Sequence, residues 1–234
     1  MQEESKAPYL DIFSTLLLEC VLNMKINEIY KSIQGESSFA GIPCVFIRTT
    51  FCNLRCRWCD TAYAFYEGEE KTIDSIMRQV REYQTPLVEI TGGEPLLQKE
   101  VYPLVTRLLD EGFRVLIETG GSIPINLLDP RAIVIIDLKP PGSAMSHTIF
   151  WENLSWLKPC DEVKFVISDR NDFEWAKSVL VTNPSLNNRT ILFSPVAGEM
   201  EFRTLSEWIL KENLPVRLNI QLHKIIWDKE MKGV

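Results

Sequence analysis

The sequence lacks a membrane-length apolar run, an excess of positive charge and a dense set of cysteines. The apolar run FSTLLLECVL at 13–22 is interrupted by Glu19 and follows acidic residues, which argues against a signal segment, and it is too short to span a bilayer. The formal net charge of −7 gives no overall basic field for a nucleic-acid backbone. Six cysteines are too few for a disulfide scaffold in a chain of this length. These absences predict a cytoplasmic protein that binds neither membranes nor nucleic acid.

Composition predicts one domain with a short N-terminal extension. The 234 residues are 45% hydrophobic and 24% charged, which is enough apolar material for one well-buried core. No repeat, low-complexity tract or long linker divides the chain. A second methionine, Met24, begins a stretch with a more regular sequence pattern. We therefore expect residues 1–23 to be an appendage that the domain of 24–234 does not need.

Short β-rich runs alternate with amphipathic stretches from Pro43 onward, which predicts βα units around a parallel sheet. The predicted strands are 44–50, 86–91, 113–119, 132–138, 162–168, 190–195 and 215–222. Apolar residues at spacings of three and four predict helices at 73–83, 101–109, 173–180 and 202–209. Gly112 follows the second of these at a helix-ending position.

Polar and glycine-rich segments follow the predicted strands: TGGEP, ETGGS, DLKPPGS and SPVAGE. In a parallel βα barrel the carboxyl ends of the strands carry the chemistry. Because six or seven strands are predicted rather than eight, we expect an α/β fold, a partial, modified TIM-like (β/α)6 barrel. A flavodoxin-like open sheet is the alternative, and the sequence pattern alone does not separate the two.

Three cysteines, Cys52, Cys56 and Cys59, lie within eight residues, and no fourth is close. Thiolates at this spacing on one loop converge on a soft metal centre. A structural zinc site requires four protein ligands, and the chain offers no obvious fourth. A four-iron cubane held by three cysteines instead leaves one iron open for a small molecule. The remaining cysteines, Cys20, Cys44 and Cys160, are interpreted as structural.

The cysteine spacing, with Trp58 just before the last cysteine, resembles the signature of the radical S-adenosylmethionine (SAM) enzymes. In that family a [4Fe–4S] cluster binds SAM through its open iron. The strand-end TGGEP at 91–95 resembles the second motif of the family, which implies that Gly93 lets the backbone approach SAM and that Glu94 binds its ammonium group. Trp58 and Asp60, which flank Cys59, are included among the implied cofactor contacts.

Longer stretches narrow the resemblance: EIYKSIQGES, GIPCVFIRTTFCNLRCRWCDT, DLKPPGSAM and NIQLHKIIW. Together they resemble the 7-carboxy-7-deazaguanine synthase family over residues 24–227. The resemblance implies a homodimeric carbon–nitrogen lyase of queuosine biosynthesis, with a modified, partial (β/α) barrel. It further implies conversion of 6-carboxy-5,6,7,8-tetrahydropterin to 7-carboxy-7-deazaguanine with loss of ammonia, and an electron donor of the flavodoxin or ferredoxin type.

The same resemblance implies roles for further residues of the site. Thr61 is the implied ligand of Mg²⁺, a hard cation that keeps several waters. The implied SAM contacts at strand ends are Asp137, Lys139 and Ser194. The implied substrate contacts are Ile33, Gln34, Gly35, Glu36, Arg48, Thr91 and His223. Among these, the Arg48 guanidinium matches the geometry of a substrate carboxylate.

Two other interpretations account for the cysteines. An activase of glycyl-radical enzymes shares the cysteine spacing, but it gives no reason for SIQGE, Thr61 or QLHK. A zinc-stabilised binding module without catalysis leaves TGGEP unexplained.

Overall fold

Nine strands form one sheet in the residues that the computed structural model describes, which are 22–228, 231 and 233. The strands are β1 (Asn23–Ile33), β2 (Pro43–Thr49), β3 (Glu69–Thr72), β4 (Leu87–Gly92), β5 (Arg114–Thr119), β6 (Ile133–Asp137), β7 (Glu162–Ile167), β8 (Thr190–Pro195) and β9 (Arg217–Leu218). Their order in the sheet is β3-β1-β2-β4-β5-β6-β7-β8-β9. From β2 to β9 every neighbouring pair is parallel, whereas β1 pairs antiparallel with β2 and β3.

The strand order separates the two predicted folds. In a doubly wound open sheet the chain reverses direction along the sheet, which creates a switch point between the two halves. Here each parallel strand after β2 is added at the same side of the sheet in chain order, as in a βα barrel. The sheet of the described residues is not closed, because its ends are β3 and β9. The predicted partial barrel is confirmed.

The four helices with ten or more residues cover the outer face of this sheet and bury one apolar side each, and two shorter helices complete the six of the described residues. They are α1 (Ile73–Glu82), α2 (Val101–Asp110), α3 (Asn153–Trp156), α4 (Arg170–Thr182), α5 (Phe202–Lys211) and α6 (His223–Ile226). Thr72 caps α1, because its side chain accepts a hydrogen bond from the Ser75 amide at 3.0 Å. Gly112 follows α2 with a φ of +87°, the left-handed conformation expected there. None of the described helices is long and apolar enough to cross a membrane.

The structure changes two details of the predicted layout and leaves a third untested. The predicted strand 215–222 is reduced to β9, because the chain then turns at Asn219 toward the amino-terminal loop. Two strands, β1 and β3, were not predicted. The predicted extension, 1–23, lies outside the described residues except for Leu22 and Asn23, and Asn23 is the first residue of β1. Its dispensability stays a prediction.

The alternation of side chains along the strands gives the sheet two faces. Val45 and Ile47 of β2 join the large core under the helices, whereas Phe46 joins a small apolar cluster on the inner face with Leu116 and Ile135. The loop 34–42 crosses this inner face and bonds to it through Gln34–Glu89 and Ser38–Glu162 contacts. The lower part of the open barrel is therefore filled, and a cavity remains at the carboxyl ends of the strands.

Candidate active site

One cavity of about 740 Å³ lies at the carboxyl ends of the strands. All of the predicted site residues line it except Glu94 and Ser194. This position agrees with the general rule that the strand ends of a parallel βα fold carry the chemistry. The fold therefore brings together residues that lie as far apart in the sequence as Ile33 and His223.

The loop after β2 carries the three cysteines at one side of the cavity. Phe51 begins it with a φ of +78°, and its carbonyl accepts the Glu94 amide at 2.8 Å. A hydrogen bond from the Cys59 amide to the Cys56 carbonyl, at 3.2 Å, closes a tight turn. Cys52, Cys56 and Cys59 are all half-buried and all line the cavity. Among the described residues no three His, Cys, Asp or Glu side chains converge on one point, and this holds for the three thiols as well.

Two residues of TGGEP connect this loop to the ends of β4 and β5. A Cβ atom on Gly93 would overlap the carbonyl oxygen of Phe51, so only glycine fits at this position. The Glu94 carboxylate is fully buried and accepts hydrogen bonds from Thr119 Oγ1 at 2.9 Å and from the amides of Gly120 and Leu96 at 2.8 and 3.1 Å. Burial raises the pKa of Glu94, although these donors oppose the shift. Its contact with SAM stays a prediction.

Charged side chains follow β6 at the next edge of the cavity. Lys139 Nζ lies 2.9 Å from Asp137 Oδ2, and Lys164 Nζ of β7 lies 3.5 Å from the same oxygen. Burial alone would lower the pKa of Lys139, but Asp137 outweighs it and raises the pKa, so Lys139 carries its charge. Asp137 Oδ1 is buried and has no hydrogen-bond partner among the described residues. This oxygen is available to a bound molecule.

Arg48 lies on the opposite wall, held by three side chains. Its Nε donates to Glu28 Oε1 at 2.7 Å and its Nη2 donates to Tyr30 Oη at 2.9 Å. The guanidinium carbon lies 6.0 Å from the ring centroids of both Tyr30 and Tyr63, within the range of a cation–π contact. Tyr63 also donates to Glu28 Oε1 at 3.0 Å. The orientation of Arg48 is therefore set by its neighbours.

The loop 34–36 meets the carboxyl-terminal segment inside the cavity. Gln221 Nε2 donates to Glu36 Oε1 at 2.7 Å, and Lys164 Nζ lies 2.9 Å from Glu36 Oε2. Burial alone would raise the pKa of Glu36, but Lys164, Gln221 and His223 outweigh it and lower the pKa to about 2. A Cβ atom on Gly35 would overlap Nδ1 of His223, so the imidazole packs directly on this glycine. The predicted substrate contacts from both ends of the chain are adjacent.

Three predicted residues have other partners in the structure. Asp60 Oδ2 accepts from Lys224 Nζ at 2.6 Å, which connects the cysteine loop to α6. Ser194 is buried, and its Oγ accepts from Asn219 Nδ2 at 2.8 Å. Thr61 lines the cavity, with its Oγ1 3.8 Å from Cys59 Sγ, and it makes no side-chain cap of the short helix that follows.

Comparison with known proteins relates the chain to one enzyme family. Residues 46–136 match the Radical SAM superfamily. A 7-carboxy-7-deazaguanine synthase of Chlorobaculum tepidum is 45% identical over 214 residues, which cover 90% of this chain and 97% of the relative. One of Koribacter versatilis is 44% identical over 227 residues, covering 90% and 100%. The chain belongs to the 7-carboxy-7-deazaguanine synthase family. The crystal structure of QueE from Escherichia coli agrees in fold, with a TM-score of 0.71 at 25% identity over 85% of this chain and 94% of that one.

Membership of this synthase family bears on the identity of the metal centre, while the assignment of the three cysteines as its ligands stays a prediction. The radical SAM assignment implies a [4Fe–4S] cluster and SAM, and the residues present fit both. Three half-buried thiols lie on one loop, Gly93 leaves room at the backbone, and Asp137 Oδ1 is a buried acceptor without a partner. The activase and the zinc-stabilised module are set aside.

The structure adds residues to the synthase pocket that sequence reasoning missed. They are Glu28, Tyr30, Tyr63, Glu89, Glu118, Lys164 and Gln221. A signal for three of them exists in the sequence, because Glu89, Glu118 and Lys164 interrupt the apolar runs of buried strands. Charged groups are almost never buried without a partner, so each of these positions marks a functional or paired site.

Proposed function

We propose that this cavity converts 6-carboxy-5,6,7,8-tetrahydropterin to 7-carboxy-7-deazaguanine with loss of ammonia, as a step of queuosine biosynthesis. The observation that carries the proposal is that the cysteine loop and the Arg48 wall face one cavity of about 740 Å³. Pockets of about 300–1,000 Å³ are typical for small ligands. SAM and a bicyclic substrate therefore both have a place between the two walls.

The cluster and SAM supply, when bound and reduced by one electron, a 5′-deoxyadenosyl radical that removes a hydrogen atom from C6 of the pterin. The chain's own residues hold these groups in place. Cys52, Cys56 and Cys59 would hold the cluster, and the Gly93 backbone would face SAM. The free Asp137 Oδ1 is an acceptor suited to an ammonium or hydroxyl group of SAM, and Lys139 keeps the rest of that carboxylate paired.

The opposite wall of the cavity, which contains Arg48, would orient the substrate. The Arg48 guanidinium retains N–H groups beyond those used by Glu28 and Tyr30, and it matches a carboxylate bidentately. Glu36 stays ionised because of Lys164, so it accepts hydrogen bonds from a guanidine-like edge. Burial lowers the pKa of His223, which favours the neutral imidazole next to Gly35. These groups would fix C6 of the pterin toward the SAM side.

Thr61 is our candidate for the protein ligand of Mg²⁺. Its hydroxyl lines the cavity beside Cys59 and serves no helix cap. Mg²⁺ keeps several waters and needs few protein ligands, so one hydroxyl together with the substrate carboxylate is a sufficient set. Thr61 would thus hold the ion next to the substrate carboxylate.

The partners of the chain are part of the proposal. A flavodoxin- or ferredoxin-like donor is supported by the exposed side chains of the cysteine loop, among them Phe51 and Arg55, which offer a contact surface beside the cluster. A homodimer follows from the resemblance to the synthases and is tested by light scattering. A cytoplasmic location is supported by the need to keep the three thiols reduced for metal binding.

Anaerobic reconstitution with iron and sulfide tests the function. The protein is incubated with SAM, dithionite, Mg²⁺ and 6-carboxytetrahydropterin, and 7-carboxy-7-deazaguanine is followed by mass spectrometry. Cys56→Ala should abolish the product, whereas Cys160→Ala, at an exposed cysteine outside the cavity, should leave it unchanged. Cleavage of SAM to 5′-deoxyadenosine without any deazaguanine would retain the radical SAM class and reject the substrate.

A further inference from the structure

The inner face of the barrel contains more carboxyl groups than cations. Glu36, Glu118 and Asp137 all lie within ion-pair distance of Lys164, and Asp137 also pairs with Lys139. Glu89 of β4 lines the same cavity, yet it takes part in no ion pair among the described residues. It is therefore the one member of this acidic set without a cation of its own in the described part of the chain.

Glu89 is 2% exposed, and its surroundings disfavour a charge. Its neighbours in the sheet are Phe46 and Leu116, both buried and apolar. An ionised carboxylate in such a place is costly unless a cation or several donors compensate it. The only hydrogen bond to Glu89 among the described residues comes from Gln34 Nε2, a neutral donor.

Titratable groups of four strands and one loop surround Glu89, and three of them, Glu118, Glu36 and Lys164, shift its pKa. Facing it are Tyr30 of β1, Cys44 of β2, Glu118 of β5, Glu36 of the 34–42 loop and Lys164 of β7. Burial is the largest cause that raises the pKa of Glu89, and the Glu118 and Glu36 carboxylates raise it further. Lys164 opposes the shift but is shared by three other carboxylates. The pKa of Glu89 lies well above its ordinary value of 4.5.

The amide of Gln34 has its orientation fixed by two contacts. Its Oε1 accepts the Glu36 backbone amide at 2.6 Å, so its nitrogen is the end that faces Glu89. One oxygen of Glu89 therefore accepts from Gln34. The other oxygen makes no hydrogen bond to the described residues and belongs to a side chain on the cavity wall.

We propose that Glu89 is a specificity-determining residue of this pocket, a neutral carboxylic acid whose hydroxyl donates a hydrogen bond to the lactam carbonyl of the bound bicycle. This inference rests on the proposed function. A neutral carboxyl group offers one donor and acceptor oxygens, whereas an ionised one offers acceptors alone. A 2-amino-4-oxopyrimidine ring presents a carbonyl beside an N–H, which an acid and an amide side by side can match. In a ring with an amino group in place of the carbonyl, that amino group would face the Glu89 hydroxyl, so that two donors would meet and the ring would be rejected.

The test uses the reconstituted holoenzyme as wild type, Glu89→Gln and Glu162→Gln. Glutamine at 89 keeps a neutral donor that cannot ionise. Glu162 is the matched control, since it is equally buried on the inner face and bonds the same loop through Ser38, but it does not line the cavity. Two measurements are made: the infrared difference spectrum on addition of 7-carboxy-7-deazaguanine, and the KM of the pterin as a function of pH.

We expect wild type to show the C=O band of an un-ionised carboxyl group, which shifts when the lactam ligand binds and is missing in E89Q but present in E162Q. We expect the wild-type KM to rise about ten-fold at alkaline pH, as the donor is lost and a charge replaces it, while E89Q stays flat. No such band, or the same KM profile in wild type and E89Q, would overturn the proposal. Product formation by wild type tests the function separately: a shifted band without turnover rejects the function alone, and turnover with an unshifted band rejects the role of Glu89 alone.

Discussion

Arg48 shows how much a single side chain of the site depends on its neighbours. Arg48→Lys keeps the positive charge but removes the planar fork, which here also bonds Glu28 and Tyr30. A lysine ammonium can reach one of these partners or the substrate carboxylate at a time. We expect KM for the pterin to rise about ten-fold or more, with a smaller change in kcat. Steady-state kinetics of the reconstituted variant measure both.

The matched control for Arg48 is Arg114, another strand arginine with an aromatic contact. Its guanidinium lies 5.5 Å from the ring centroid of Phe39, and it does not line the cavity. Arg114→Lys should leave KM unchanged. An equal rise of KM in both variants would mean that Arg48 acts on the fold and not on the substrate.

Glu36 links the stability of the chain to pH. Its pKa is about 2 in the folded chain, below its ordinary 4.5, so its ionised form stabilises the fold above the ordinary pKa. That stabilisation is lost as the pH falls from about 4.5 through about 2, because Glu36 then becomes protonated beside Lys164. We expect the free energy of unfolding to fall over this interval in wild type, and to fall less in Glu36→Gln. Denaturant titrations at a series of pH values measure the slopes, and parallel curves for the two proteins would contradict the assignment.

Among single residues, those that belong to a short motif are predicted well from the sequence. Residues that act through a partner on a neighbouring strand or a distant segment are predicted poorly. The three cysteines and Gly93 belong to short motifs, so their chemistry can be inferred from spacing. The support of Arg48 by Glu28 depends on the antiparallel pairing of β1 with β2, where these two residues are partners. The bond from Ser37 to Asn219 joins residues 182 positions apart. No local pattern predicts such a contact.

At the scale of elements, the close contact between the end of β4 and the cysteine loop shows how the strands position that loop. A Cβ atom on Gly93 would overlap the Phe51 carbonyl oxygen and crowd Cys52. Gly93→Ala should therefore displace the start of the loop, and we expect loss of iron binding and of SAM cleavage in the reconstituted protein. Iron content and the formation of 5′-deoxyadenosine are the readouts.

Gly112 provides the contrasting glycine for that experiment. A Cβ atom there meets nothing within 4 Å, but the φ of +87° is a conformation that L residues rarely adopt. Gly112→Ala should lower the free energy of unfolding by about 1 kcal/mol and leave iron binding and SAM cleavage intact. If G93A binds iron like wild type, the close approach at β4 has no part in holding the cluster loop.

The strands that were predicted and those that were missed differ in burial. β4 to β8 are near-continuous apolar runs, as expected for parallel strands covered on both faces, and all five were predicted. β3 is the polar sequence EEKT at the edge of the sheet, which carries no apolar period. β1 alternates only in part, because the register shifts between Ile26 and Glu28. An edge strand and an irregular strand leave little signal in the sequence.

At the scale of the whole molecule, the open barrel is completed by a segment from the carboxyl-terminal end. After β9 the chain returns across the mouth, where the Leu222 amide donates to the Gly35 carbonyl at 2.9 Å and Gln221 bonds Glu36. Lys224 then pairs with Asp60 on the cysteine loop. The loop 34–36 is thus joined to the cysteine loop by contacts that neither set of strands provides.

Removal of residues 221–234 separates the two halves of the reaction. The variant retains the cysteine loop and the ends of β4 to β6, but it loses Gln221, His223 and Lys224 from the cavity wall. We expect SAM to be cleaved at a comparable rate while deazaguanine formation falls about a hundred-fold, because the substrate is no longer held in position. Mass spectrometry of both products in one incubation gives the ratio. The double variant Gln221→Ala/His223→Ala should show the same uncoupling if the truncated chain does not fold.

Removal of residues 1–21 is the matched truncation at the other end. It leaves Leu22, whose carbonyl accepts the Ile73 amide at 3.3 Å, and Asn23, which pairs with Thr72 at the edge of the sheet. If the appendage is dispensable, this variant keeps the product ratio and the melting temperature of the full chain. The C-terminal segment contacts the loop 34–36 directly. If only the C-terminal truncation uncouples SAM cleavage from deazaguanine formation, the cause lies at the cavity mouth. If both truncations uncouple the two, the cause is a general loss of stability of the barrel.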